Sequence, residues 1–185
     1  WIQDIVPNHM VFSNENRFLM DVLERGTYSP YYRFFDINWE HPDSIGKVLI
    51  PTLGADIDTL VEDQDIQISF TETGFSIKHF ETEYPLSITA IPALISVMEG
   101  KKILEDFIHE IKLFLNESMV HSYEEFQQLK RKFIAKINSD ENYILEIEWL
   151  TKKINKNKKK RQVFYFYPRS TVTQTHRVAG NERHR

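Results

Sequence analysis

The chain opens on Trp1-Ile2-Gln3-Asp4-Ile5-Val6, a run of apolar and β-favouring residues that predicts a strand. No turn or cap precedes it, so a piece of a longer fold is the expectation. Pro7 ends the strand, because proline has no N–H to give a ladder, and Pro7-Asn8-His9 begins a loop whose side chains stand beyond the strand end. Phe18, Leu19, Val22 and Leu23 then recur at helical spacing, with Ser13 or Asn14 as cap and Gly26 as stop, which predicts a helix over 15–25. Positions 27–47 lose all period: Tyr28, Tyr31, Tyr32, Phe34, Phe35 and Trp39 are interleaved with Pro30, Pro42 and Gly46, the pattern of a packed, irregular connection.

Regularity returns with Lys47-Val48-Leu49-Ile50-Pro51, a short strand closed by proline, and with a short helix from Asp56 to Glu62. Ile66, Ile68 and Phe70 alternate with polar residues, Glu72-Thr73-Gly74 supplies a turn, and Phe75, Ile77 and His79 resume the alternation, which predicts a hairpin. From about 89 to 155 the period lengthens to three or four. Ile103, Phe107, Ile111 and Phe114, then Phe126, Leu129, Phe133 and Ile137, then Tyr143, Ile147 and Leu150 predict three successive helices, and these stripes are assigned to packing. Ser122 and Glu125 form a capping box for the second. No repeat of fixed period is present.

Composition supports a folded domain: 41% of the 185 residues are hydrophobic and 13% aromatic, enough for a core. There is no cysteine, which leaves no disulfide framework or thiolate metal site and favours a reducing compartment. No apolar run approaches the length of about 20 residues that spans a bilayer, and no signal-peptide pattern opens the chain, so a soluble, cytoplasmic protein with no membrane partner is expected. The formal charge of −4 hides a split: residues 1–151 hold 12 Lys/Arg against 26 Asp/Glu, and 152–185 hold 11 against 1. The basic run KKINKNKKKR at 152–161 with nearby aromatics suggests nucleic-acid binding, but the acidic body repels a polyanion and lysine runs are commonly solvated helix ends.

The string DIVPNHM at 4–10 carries the chemistry. Read plainly, Asp4 sits in a structural ion pair, Asn8 shapes a turn and His9 is a satisfied loop histidine. It also resembles the first conserved region of the glycoside hydrolase family thirteen barrels, at the C-terminal end of the third barrel strand, the face where such barrels do their chemistry. The continuation SNENRFLMDVLERGTYSPYYRFFDINWEHPD and then GKVLIPTLG is similar to the segment after that motif in maltooligosyl trehalose synthases. The likeness is good over about 1–90, loose to about 155 and poor thereafter.

The resemblance implies an α/β fold, a fragment of a (β/α)8 barrel: the end of a barrel strand and its loop over 1–12, a mixed α/β insertion with the hairpin over 13–88, a helical part over 89–155 and a basic, atypical tail over 156–185. It implies that His9 hydrogen-bonds a sugar hydroxymethyl group beside the scissile bond, that Asp4 braces the site and that Asn8 orients the loop. The activity implied is conversion of the reducing-end α-1,4 bond of a maltooligosaccharide into an α,α-1,1 bond. Neither cofactor nor metal is expected, since the loop falls short of the six to eight oxygens of a calcium site. Tyr31, Tyr32, Phe35 and Trp39 are candidate sugar contacts, although aromatics this dense are more often core. The family's catalytic carboxylates come from later strands, and no Gly-x-Arg-x-Asp string is present. The expected partners are therefore maltooligosaccharide and the remainder of the parent enzyme, and the isolated chain is expected to be inactive. A non-catalytic glucan-binding remnant is the alternative.

Overall fold

A computed structural model describes residues 13–42, 46, 48, 57–96, 105, 106, 109, 112, 113 and 122–156. Asp4, Asn8 and His9, the expected strand over 1–6, all of 47–51 but Val48, the expected stripe of Ile103, Phe107, Ile111 and Phe114, and the tail beyond Lys156 lie outside these residues.

Helix α1 runs Arg17–Arg25 and ends at Gly26, whose φ of +59° with ψ of −130° is a backbone conformation that glycine adopts without a Cβ penalty. Its cap is Asn16 rather than Ser13 or Asn14. Asn16 Oδ1 accepts from the N–H groups of Phe18 and Leu19, whereas the Ser13 hydroxyl is engaged by Glu15 N, so the helix starts two residues later than the spacing predicts. A 3-10 turn over Gly26–Tyr28 leads into turns and bends through residue 42, the irregular connection expected of that aromatic stretch.

Helix α2 (Ile57–Glu62) precedes a three-stranded antiparallel sheet in the order β1 (Ile66–Thr71), β2 (Gly74–His79), β3 (Thr82–Pro85). The hairpin register pairs Phe70 with Phe75 and Ile68 with Ile77, which sets the apolar side chains on one face and Ser69 opposite Ser76 on the other. The third strand was not expected; at four residues it is too short for alternation to declare it. Helices α3 (Ile91–Ser96), α4 (Tyr123–Asn138) and α5 (Glu141–Lys156) follow, with residues 105, 106, 109, 112 and 113 helical between the first two. The capping box at Ser122 and Glu125 forms with both reciprocal bonds.

One core joins hairpin and helices. Ile68, Phe75 and Ile77 of the sheet pack with Phe126, Phe133 and Ile137 of α4 and with Ile147, Leu150 and Ile154 of α5. A smaller cluster of Leu19, Leu23 and Tyr84, with Phe35 and Val48 against it, seats α1 on β3. Asn155 closes the free edge of β1: its Oδ1 accepts from Ile68 N at 2.8 Å and its Nδ2 donates to Ile68 O at 2.9 Å, so a side-chain amide stands where a fourth strand would. Among the described residues no helix is long and apolar enough to cross a membrane.

Candidate functional site: a polar cleft between α1, the sheet and α4

Helix periodicity presents two rows of polar side chains to the same space. On α1, Met20, Asp21 and Glu24 share a face. On α4, Tyr123, Gln127, Lys130 and Arg131 fall at intervals of three or four, beside the apolar stripe that holds the helix to the core. With Ser76, Glu83 and Tyr84 of the sheet they enclose a cleft of about 450 Å³.

Its floor is a set of satisfied charges. Asp21 takes Arg25 as a two-pronged fork, Nε to Oδ1 at 2.9 Å and Nη2 to Oδ2 at 2.7 Å, with the Ser29 hydroxyl donating to Oδ2 at 2.5 Å. Both side chains are fully buried, and the guanidinium lies 4.9 Å from the Phe126 ring centroid. Ser29 Oγ in turn accepts from Tyr31 N, so this fork pins the start of the aromatic loop.

Lys130 Nζ reaches across to Glu24, 2.6 Å from Oε1 and 2.8 Å from Oε2. Burial pushes the Glu24 carboxyl above the usual carboxylate range, and the attraction of Lys130 offsets only part of that rise. The surroundings explain the penalty, since Glu24 sits among Gly74, Phe75, Leu86 and Phe126. On the sheet, Glu83 Oε1 accepts a short bond from Ser76 Oγ and another from Ser69 Oγ at 3.2 Å, and the two serine hydroxyls are 2.7 Å apart. No hydrogen bond falls on Glu83 Oε2 among the described residues, and the side chains of Gln127 and Arg131 likewise have no partner there. The cleft thus offers free acceptors and donors above a neutralised base. Among the described residues no group of three or more His, Asp or Glu side chains is arranged to hold a metal.

The four aromatics expected to meet sugar are half-buried and dispersed. Tyr31 packs edge-on to Phe18 at 4.7 Å and to Phe34 at 5.4 Å, and Phe35 joins the α1–β3 cluster. Tyr32 accepts a 2.6 Å hydrogen bond from Arg33 Nε, and Trp39 closes over Gly26, where an added Cβ would lie 3.9 Å from its ring. The aromatic rings that line the cleft are instead Tyr84 and Tyr123, the latter 6.2 Å from Tyr31. Neither these nor Glu83, Gln127, Lys130 and Arg131 stand out along the sequence. The spacing of 123, 127, 130 and 131 was a readable helix face, but nothing local ties Lys130 to Glu24, 106 positions away.

Comparison with known proteins finds a partial likeness. Two curated relatives from Mycobacterium tuberculosis, strains CDC 1551 / Oshkosh and ATCC 25618 / H37Rv, each described as "Putative maltooligosyl trehalose synthase", are 44% identical to this chain over 59 residues. The matched stretch is 31% of this chain and 8% of each relative, so the chain spans a small part of the length of the proteins it resembles. No family model matches the sequence. No solved structure matches it either.

Proposed function

We propose that this chain is part of a glucan isomerase of the maltooligosyl trehalose synthase type, acting in trehalose biosynthesis. The observation that carries the reading is the 44% identity over 59 residues, joined by the DIVPNHM string at 4–10. In this reading 1–12 is the end of a barrel strand with its loop, 13–155 is the insertion after it, covering the active site of a (β/α)8 barrel, and 156–185 is an atypical tail. The reaction is a retaining glycosyl transfer within one substrate chain. A carboxylate takes the glycosyl unit, a carboxylic acid protonates the leaving oxygen, and the freed reducing-end glucose returns through its anomeric hydroxyl. An α-1,4 bond becomes an α,α-1,1 bond and no water is consumed. A cover over the site keeps the freed glucose from leaving and water from entering.

The carboxylates belong to the remainder of the parent enzyme; this chain contributes His9 as a hydrogen-bond donor to the substrate, Asp4 as its brace and Asn8 as the residue that orients the loop. The test monitors the reducing end of maltopentaose. The chain alone should leave it intact, and the chain joined to the rest of its parent polypeptide should remove it without releasing glucose. In that enzyme His9→Ala should lower kcat/KM roughly 10- to 100-fold, the loss of one buried hydrogen bond of about 1.5–3 kcal/mol. Reducing ends that persist with the joined polypeptide, or disappear with the chain alone, overturn the reading.

A further inference from the structure

We propose that the cleft between α1, the sheet and α4 binds a neutral, hydroxyl-rich ligand, a short maltooligosaccharide, through Glu83, Gln127 and Arg131 with the ring of Tyr123 at its edge. The choice of ligand rests on the glucan reading; the class of ligand comes from the cleft itself. Its volume of about 450 Å³ falls within the range of roughly 300–1,000 Å³ typical of small-molecule sites.

Charge decides the class. With Asp21 taken up by Arg25 and Glu24 by Lys130, the charges left facing the space are Glu15, Glu72 and Glu83 against Arg17 and Arg131, so an anion meets carboxylates and a cation meets guanidinium groups. Lys130 is held on both oxygens of Glu24 and is not free to swing out and neutralise an incoming anion. A sugar hydroxyl donates and accepts at once, and therefore suits a wall where Glu83 Oε2 can only accept, Arg131 can only donate and the Gln127 amide does both. These three groups have no hydrogen-bond partner among the described residues. Gln127 is also half-buried, so part of its hydration is already lost before a ligand arrives. The site is held in shape beforehand: Glu83 is fixed by Ser69 and Ser76, and Tyr123 sits against Tyr31.

The experiment is an NMR titration of the 185-residue chain with maltotriose, spermidine and inorganic phosphate, read at the Gln127 side-chain amide and at Arg131 Nε. Maltotriose should produce saturable shifts at both groups, with the two charged probes weaker. Gln127→Ala and Arg131→Ala lie on the helix surface away from the core, and each should raise the maltotriose Kd about tenfold or more, the equivalent of 1.4 kcal/mol, with the melting temperature unchanged. Glu83→Gln, which keeps the shape of the side chain, should weaken binding as well. No shift with maltotriose, or tighter saturation by spermidine or phosphate, overturns the proposal. Maltotriose shifts confined to Tyr32 and Trp39 overturn the cleft while leaving the glucan reading standing; that reading fails only by the reducing-end assay.

Discussion

Glu24 is taken out of water by the packing of α1 against the sheet and α4, and its carboxyl is raised for that reason despite Lys130. As pH climbs past the ordinary carboxylate value, the unfolded chain releases this proton while the folded chain keeps it. Glu24 therefore contributes stability that is complete at acid pH and is lost as pH rises through its raised folded value. Glu24→Gln, neutral at every pH, should remove that slope: melting temperatures measured from acid to neutral pH should show the variant gaining on the wild type as pH rises. A constant difference across the range would mean that the Lys130 pair keeps Glu24 ionised throughout. Asp21, buried beside Glu24, is held by its fork with Arg25 and by the bond from Ser29. The Asp21–Arg25 spacing of four was readable along a helix. The Glu24–Lys130 pair was not, since both ends had to be brought together from different elements.

Elements were legible where their period was long and their ends carried caps. The hairpin and the capped α4 followed from alternation and from Ser122 with Glu125. β3 escaped because four residues carry too little pattern, and the α1 cap shifted because Ser13, Asn14 and Asn16 are chemically equivalent candidates until the backbone chooses among them. The β1 edge is the clearest case of an element completed from afar. Asn155, 87 positions from Ile68, satisfies both of that residue's backbone groups. Asn155→Ala leaves a part-buried N–H and C=O without partners, and should cost about 1–3 kcal/mol in chemical denaturation. Hydrogen exchange at the Ile68 amide should accelerate correspondingly; protection equal to wild type would show that the edge is covered by something other than Asn155.

At the scale of the molecule, the hairpin and the two C-terminal helices share one core and should melt as one unit. Ile68 in β1 and Leu150 in α5 are both fully buried in it. Truncating either to alanine should cost about 2–5 kcal/mol. Each truncation should also lower a single transition, read alike by far-UV circular dichroism and by aromatic near-UV signals. Two separated transitions in either variant would divide the core. The likeness to the mycobacterial relatives covers 59 residues, whereas this core runs from Leu60 to Ile154, so it extends over more of the chain than the likeness does.

The sequence by itself determined the hairpin and the apolar stripes of α4 and α5, because each is written within a window of one element. Only the tertiary structure decided where the polar residues gather. Glu24, Glu83, Gln127, Lys130 and Arg131 carry no joint signal along the chain, and they become a cleft because α1 and α4 pack against the sheet and meet across it. Burial then changes their chemistry: a carboxylate and an ammonium that would be ordinary in water are locked to each other, while the neighbouring side chains that packing leaves unpaired stay available to a ligand.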